Sequence, residues 1–385
     1  MTASADIMDS LPQLSLPAAG RLQTPTLLLW TDRLNHNIRQ MVATAGSAER
    51  LRPHCKTHKM HEVTRRLIGA GITQHKAATP AEAQMLANAG AGDVLLASQV
   101  VGPAVSLLQQ LVRSFPETTF SVIADDAGPV SELSREFERT GTVVGVMLDL
   151  DVGQHRTGVA PDSSDADDLY ALIGSLPGLV PAGLHIYDGH QQQTSVEERR
   201  GAVCQAWQPV QRLIDRLEAS GHQIPELVCG GTPTFPVYTE FEDPRIRLSP
   251  GTCVLHDAGY GSHFPDLKFV PAAALATRVV SRPTANRITL DLGHKAVAAD
   301  PPDGSRVVLP ELPGARFVLH NEEHLVVESD RAEEFSPGDL LLAIPVHICP
   351  TTALHDFVTL IEHGEIVERW NVTARHRLTA DAENK

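Results

Sequence analysis

From residue 50 onward, short runs rich in Val, Ile and Leu alternate with amphipathic segments of ten to twenty residues, and this alternation limits the fold more than any single motif does. Runs that short and that uniformly apolar read as strands buried on both faces, and the segments between them read as crossover helices. Strands are expected near 51–55, 73–78, 94–98, 118–124, 143–150, 181–187, 226–229 and 245–249. Eight such units specify a (β/α)8 barrel. The helices carry matching signals: Pro80 and Pro103 stand in first turns, and the helix opening at Pro80 closes at Gly90. The run 24–30, followed by a helix with Leu34, Ile38, Met41 and Val42 at helical spacing, makes a ninth strand. That is one too many for the barrel.

Beyond residue 268 the pattern changes to short alternating strands split by turn residues, as in ANRITLDLG and EEHLVVES, which marks an antiparallel β domain. The surplus strand joins that domain. The expected division is a flexible leader at 1–21, a strand at 22–30 belonging to the C-terminal domain, the barrel at 31–267 and the β domain at 268–385.

Charge and hydropathy exclude several classes. Lys and Arg number 32 against 47 Asp and Glu, a net charge of −15 with no basic run, which argues against a nucleic-acid partner. The longest apolar stretches, such as 340–346, fall far short of the roughly 18–20 residues that span a bilayer. No Lys or Arg precedes Arg21, so the start lacks the basic region of a signal peptide and a cytoplasmic location is expected. The five cysteines, 55, 204, 229, 253 and 349, are odd in number and irregular in spacing, unlike a disulfide framework.

In a barrel, chemistry sits at the C-terminal ends of the strands. The first expected strand ends in Arg52-Pro53-His54-Cys55-Lys56-Thr57-His58-Lys59. A lysine there is partly desolvated by the barrel mouth and crowded by Arg52, which favours a nucleophilic amine; the plainer alternative is a solvated charge at a helix start. Two glycine loops favour the first reading. Cys229-Gly230-Gly231-Thr232 follows the seventh strand and Ser249-Pro250-Gly251-Thr252 the eighth, the loops in which barrels commonly hold phosphate. Together with Lys56 they suggest a phosphorylated aldehyde cofactor, pyridoxal phosphate. In the β domain, His347 and Cys349 stand two apart in an expected strand and so face one side, where they suit a borderline metal such as zinc; as an isolated pair they also read as core residues. Arg156, among Asp149, Asp151 and His155, suits a carboxylate or the cofactor ring, or is a solvated loop charge. Tyr187 and His190 follow the sixth strand and offer a phenol and an imidazole.

The motifs RPHCKTHK, LDLDVGQHRTG, IYDGH, CGGTPTF, SPGTCVLHD and HICPT, in this order, resemble the D-threonine aldolase and D-serine dehydratase family of fold-type III, alanine-racemase-like enzymes. The resemblance runs from about residue 22 to 375. It implies a barrel followed by a β domain that takes in the N-terminal strand, a homodimer, and a small D-β-hydroxy amino acid as substrate. It implies that Lys56 carries pyridoxal phosphate as a Schiff base. Arg156 and Tyr187 would then lie around the ring, Gly230, Gly231, Thr232, Gly251 and Thr252 would cradle the phosphate, and His347 and Cys349 would bind a divalent metal, zinc or manganese.

Two reactions share that equipment. Loss of the β-hydroxyl proton breaks Cα–Cβ and gives glycine and an aldehyde; loss of the α-proton expels hydroxide and gives a 2-oxo acid and ammonia. In the family the metal pair tends to be His-x-Asp in aldolases and His-x-Cys in dehydratases, so Cys349 leans toward dehydration, whereas Pro350-Thr351 and Leu354-His355-Asp356 look like the aldolase loop. Position 193, where a histidine would assist the aldol base, is Gln193, which leaves the base open; Lys56 and His190 are the candidate catalytic residues. The expectation is retro-aldol cleavage of D-threonine-like substrates, with dehydration of D-serine, D-threonine or D-3-hydroxyaspartate as the alternative. A racemase or a non-catalytic carrier of the cofactor fits less well.

Overall fold

The computed structural model describes residues 15–378, which fall into two compact units. One comprises residues 15–41, 57–60 and 252–375, the other 42–56, 61–251 and 376–378. Residues 1–14 of the expected leader lie outside the described residues. Leu16–Arg21 is helical where a flexible leader was expected, because the Ser15 hydroxyl caps it by accepting from Ala18 N at 3.2 Å and Pro17 suits its first turn. The chain then enters β1 (Thr26–Trp30).

In the second unit, β2 (Gln74–Ala77), β3 (Asp93–Leu96), β4 (Thr119–Ala124), β5 (Val144–Leu150), β6 (Leu179–Ile186), β7 (Leu227–Cys229) and β8 (Ile246–Leu248) form one parallel sheet in sequence order. The remaining barrel strand, expected at 51–55, is present only as isolated bridges: Leu51 pairs with Leu248 on β8 and His54 with Lys76 on β2. Pro53 removes a donor from the middle of that segment, and a 3₁₀ turn begins at Cys55, so no longer ladder forms. The segment still joins the two edges of the sheet. The intervening helices are capped as their sequences require. The Thr79 hydroxyl accepts from Glu82 N ahead of Pro80–Asn88, and Asp126 caps Ala127–Thr140, which ends on Gly141 at φ 65°.

Strands that are not neighbours in the sheet meet only across its lumen, and they do so in three layers. At the floor, Arg52 lies between Asp93 on β3 and Glu226 beside β7. Two residues farther along each strand, Leu95 and Val228 join Ile123 and Met147 in an apolar middle layer. Lys76, two beyond Gln74, and Asp149, two beyond Met147, line the cavity at the mouth.

The first unit is a nine-stranded sheet. Its main path contains β9 (Ala273–Thr284), β10 (Arg287–Leu290), β12 (Arg316–His320), β13 (Leu325–Glu328), β15 (Phe357–Glu362) and β16 (Glu365–Asn371), and the short β11 (Val307–Val308) joins it through β14 (Leu340–Pro345). β1 lies within this sheet, antiparallel to β9 and parallel to β15. This is the place foreseen for the surplus strand. Leu28, Trp30, Ala274, Ala276, Leu342, Ile344 and Ile361 bury one another there. Each large side chain so removed from water contributes about 1.5–3 kcal/mol.

This unit begins again at residue 252, not 268. Backbone bonds account for the difference: Ala272 N donates to Leu255 O and Gly259 N to Val346 O, while the Asn37 amide holds the carbonyls of Val254 and Val270. All five cysteines are free. Among the described residues no helix is long and apolar enough to cross a membrane.

Candidate functional site

A cavity of about 260 Å³ opens at the C-terminal ends of the parallel strands, and its wall includes His54, Lys56, Lys76, Asp149, Arg156, His185 and Tyr187. Lys56 projects from the turn Cys55–Thr57, which follows the bridged segment. Tyr187 directly follows β6, and three cationic side chains surround its ring. The Nζ atoms of Lys56 and Lys76 lie 5.7 and 5.5 Å from the centroid, and the Arg156 guanidinium carbon 4.9 Å. Arg52 does not crowd Lys56 as the sequence suggested. Its guanidinium points to the floor, where Asp93 takes it bidentately at 2.8 and 2.9 Å and Glu226 at 2.8 Å.

Three members of this mouth were not singled out by sequence: Lys76, His185 and Asp188. Burial, then the charge of Lys56, pushes the Lys76 amine down to about 7 against the attraction of Asp149 and Asp188. His185 Nδ1 lies 2.7 Å from Asp149 Oδ1, and the Thr157 hydroxyl donates to Asp149 Oδ2 at 2.8 Å. Burial acts against the Asp149 charge, but the His185 and Thr157 bonds and the nearby Arg156 hold it below the usual carboxylate range. Burial lowers His185 more than Asp149 raises it, so the imidazole is neutral, and its Nε2 is buried with no protein partner. A neutral imidazole oriented by a carboxylate, with the other nitrogen unengaged, is equipped to accept a proton.

Asp188 organises the glycine loop. Its carboxylate accepts from the Thr234 hydroxyl at 2.7 Å and from Tyr238 OH at 3.1 Å, and burial raises it to about 6. Thr234 Oγ1 in turn accepts from Gly231 N at 3.1 Å. Gly230 has φ 73°, and a Cβ there would come within 2.9 Å of Thr234 Oγ1; one on Gly231 would meet the Tyr187 ring at 3.3 Å. The two glycine loops are tied together where Gly251 N donates to Thr232 Oγ1 at 3.0 Å. Gly230, Gly231, Thr232 and Gly251 are thus gathered at adjoining strand ends. The Thr252 hydroxyl lies 3.5 Å from Cys349 Sγ.

His347 and Cys349 do not share a strand. β14 ends at Pro345, and His347 is the N-cap of a short helix, Ile348–Ala353, with Cys349 in its first turn. Pro350 suits a first helical turn, and the hydroxyls of Thr351 and Thr352 bond back to the carbonyls of His347 and Ile348. The two side chains nevertheless meet through a hydrogen bond. Asp300 Oδ2 engages His347 Nδ1 at 2.5 Å, which orients the ring. Burial lowers the imidazole, but Cys349 and Asp300 outweigh it and raise it to about 9. Thr57 Oγ1 lies 3.2 Å from Cys349 Sγ. One imidazole and one thiol, backed by a carboxylate, form a donor set that suits a borderline divalent ion. Among the described residues a separate trio of potential ligands, His54, Cys55 and Glu82, is buried beneath Lys56. There Glu82 accepts from Ala78 N at 2.6 Å.

His190 is outside the cavity wall. Its Nε2 lies 3.0 Å from the Gln191 amide and 3.3 Å from where a Cβ on Gly153 would stand. Gln193 donates to Gln191 Oε1 at 2.9 Å.

The fold is shared with known proteins. The alanine racemase N-terminal domain matches residues 30–254, and the putative serine dehydratase domain matches residues 272–361. The chain is 32% identical to a D-threonine aldolase of an Arthrobacter species over 367 residues, covering 92% of this chain and 93% of that one. It is 30% identical over 372 residues to the 3-hydroxy-D-aspartate aldolase of Paracoccus denitrificans (strain Pd 1222), covering 92% of each. Among solved structures, the D-threonine aldolase from Filomicrobium marinum superposes with a TM-score of 0.84 at 29% identity, over 95% of this chain and 98% of that one.

Proposed function

Because the chain belongs to the D-threonine aldolase and D-serine dehydratase family of alanine-racemase-like proteins, we propose that it is a pyridoxal-phosphate-dependent, metal-assisted lyase that cleaves a D-β-hydroxy amino acid to glycine and an aldehyde. The observation that carries the reading is the barrel mouth itself. One cavity holds a lysine amine and a tyrosine ring faced by Lys56, Lys76 and Arg156, and a glycine loop in which an added Cβ would crowd Thr234 and the Tyr187 ring follows the adjoining strand.

Lys56 is the amine that would hold the cofactor, Gly230, Gly231, Thr232 and Gly251, with the adjoining Thr252, would hold its phosphate, and Tyr187 and Arg156 would lie along its ring. When bound, pyridoxal phosphate supplies an electron sink for the pair released at the amino acid's Cα. His347 and Cys349 would hold the divalent ion, which supplies a Lewis acid for the substrate's β-oxygen. Asp300, bonded to His347 Nδ1, would orient the ring and leave Nε2 for the ion. Proton handling falls to the chain. Of the two imidazoles near the end of β6, we assign the proton acceptor to His185, which stands in the cavity wall with Asp149 behind it, and not to His190, which stands outside it. Replacing each by Asn separates them: His185→Asn should lower kcat by about 10²-fold or more, and His190→Asn by much less. The reverse order would restore His190 as the base.

Cleavage of Cα–Cβ is favoured by the three aldolases that align over 92% of this chain. Dehydration is the second reading, favoured by Cys349 as a soft ligand and by Gln193, whose amide is turned to Gln191. One assay decides. The purified chain is incubated with D-threonine, pyridoxal phosphate and either Zn²⁺ or Mn²⁺, and the same tube is assayed for glycine and for 2-oxobutanoate. Glycine with acetaldehyde supports the aldolase, oxobutanoate with ammonia replaces it by the dehydratase, and turnover that survives thorough chelation removes the metal from the reading.

A further inference from the structure

We propose that Lys76 is the proton partner of Lys56: its ε-amine takes up the proton that the Lys56 ammonium must lose before Lys56 can act as a nucleophile toward the cofactor's aldehyde. The inference rests on the lyase reading and adds to it a residue that the motifs do not contain.

The placement of Lys76 carries the argument. It is the third residue of β2, two beyond Gln74, whose side chain reaches Glu226 at the floor, so it faces the lumen. It is 2% exposed and lines the cavity shared with Lys56. Among the described residues its one resolved contact with a charged or aromatic group is the face of Tyr187, which it shares with Lys56. A buried ammonium without a carboxylate or hydrogen-bond partner is costly, and a second ammonium beside it is costlier.

The groups around it do not relieve that cost. Asp149 and Asp188 attract it, but Asp149 is engaged by His185 and Thr157, and Asp188 by Thr234 and Tyr238. Arg52 adds positive charge from the floor, Arg156 lies on the same tyrosine ring, and His54 stands beside Lys56 in the wall. The outcome is an amine lowered to about 7, partly free base at neutral pH where an ordinary lysine is almost wholly ammonium.

The step balances. One proton moves from Lys56 Nζ to Lys76 Nζ, so the pair's total is unchanged. The freed electron pair on Lys56 forms a C–N bond to the aldehyde carbon, and the carbonyl oxygen leaves as water with the two hydrogens of the Lys56 amine. Lys76 keeps the transferred proton. It is a positioning residue in that it touches the chemistry through Lys56.

Two measurements test this on the full chain. In the wild type, lysines are dimethylated with ¹³C-formaldehyde and borohydride, and the Lys76 resonance, identified by its absence from Lys76→Met, is followed with pH. A midpoint near about 7 is expected, and one in the ordinary lysine range near about 10 overturns the proposal. Separately, pyridoxal phosphate is added to the cofactor-stripped chain, and the rise of Schiff-base absorbance is timed from about pH 6 to about pH 10. Lys76→Met should slow capture about tenfold or more at neutral pH and approach the wild type at the alkaline end. Lys76→Arg, which keeps the charge but cannot accept a proton, should not restore it. Full rescue by arginine, or a methionine variant that matches the wild type at neutral pH, overturns the proton role. A wild-type chain that takes up no pyridoxal phosphate overturns the lyase reading itself, and the proton role with it; normal uptake with an indifferent Lys76→Met overturns the proton role alone.

Discussion

The two polar ends of the barrel lumen, separated by one apolar layer, handle buried charge in opposite ways. At the floor, the Arg52 guanidinium is 1% exposed and bound by both Asp93 and Glu226, and Glu226 also accepts from Gln74 at 3.0 Å and pairs with Arg247 at 3.2 Å. Charge there is matched by charge. At the mouth, Lys56, Lys76 and Arg156 share the face of one tyrosine, while Asp149 and Asp188 are turned to His185, Thr157, Thr234 and Tyr238. A saturated layer holds a fold in one arrangement. An unsaturated one stores the cost of unpaired polar groups until a ligand relieves it, which is why perturbed ionisation collects there.

The largest effect should come from the mouth, and it should fall on activity alone. Lys56→Ala removes the amine while leaving every floor contact in place, so cofactor absorbance and turnover should disappear while the urea midpoint stays close to wild type. A stability loss comparable to that of a core mutation would mean that the mouth also serves as a structural layer. The floor should behave in the reverse sense. Arg52→Leu leaves Asp93 and Glu226 facing each other without their common cation, and removing one partner of a buried pair costs about 3–5 kcal/mol. Chemical denaturation measures it, and a variant that is unchanged or more stable would show the ionic floor to be replaceable by apolar packing.

Much of this was legible in the sequence, because a barrel announces itself by periodicity and places its chemistry at strand ends. Seven of the eight expected barrel strands form ladders, and the eighth is a bridged segment broken by Pro53. Lys56, Tyr187 and Arg156 meet at one cavity as strand-end positions should. Lys76 and His185 were missed for a physical reason. Strands buried on both faces lose the polar–apolar alternation that would say which side faces the lumen, so a lysine in QHKA and a histidine in GLHI gave no direction. Asp188 was not singled out within IYDGH, although it anchors the glycine loop through Thr234. His347 and Cys349 were assigned to a strand because the apolar run of β14 leads straight into them, and the helix that reunites them depends on the first-turn chemistry of Pro350 and Thr351.

The two faces of β2 sharpen the contrast on the pH axis. His75, the neighbour of Lys76, faces away from the lumen, bonds to Ile72 O at 3.0 Å and is lowered to about 4 by burial. Its folded-state value lies below the ordinary histidine value near 6.5, so the unfolded chain takes up the proton first. Stability is therefore lost as the pH falls from about 6.5 toward 4, by up to about 3 kcal/mol from this group. His75→Gln should flatten that acid limb in denaturation curves recorded across the range, without moving the pH profile of cofactor capture. Movement of both together would couple the two faces and blur the distinction between structural and functional charge.

The smallest effect tests whether the floor is a network or one ion pair with decoration. Arg247 reaches Glu226 from the edge of the lumen with a quarter of its side chain exposed, and its Nε also donates to Gln74 Oε1 at 3.1 Å. Half-solvated pairs are worth about 0–1 kcal/mol, because water screens the attraction and competes for the hydrogen bonds. Arg247→Gln leaves Glu226 neutralised by Arg52, so the loss should stay below about 1 kcal/mol if the buried guanidinium carries the layer. Combining it with Arg52→Leu makes the argument quantitative. If the two losses add, Arg247 acts independently at the rim. If the double variant loses less than the sum, both arginines serve the same carboxylate, and the floor is a single cooperative unit, as the mouth above it is not.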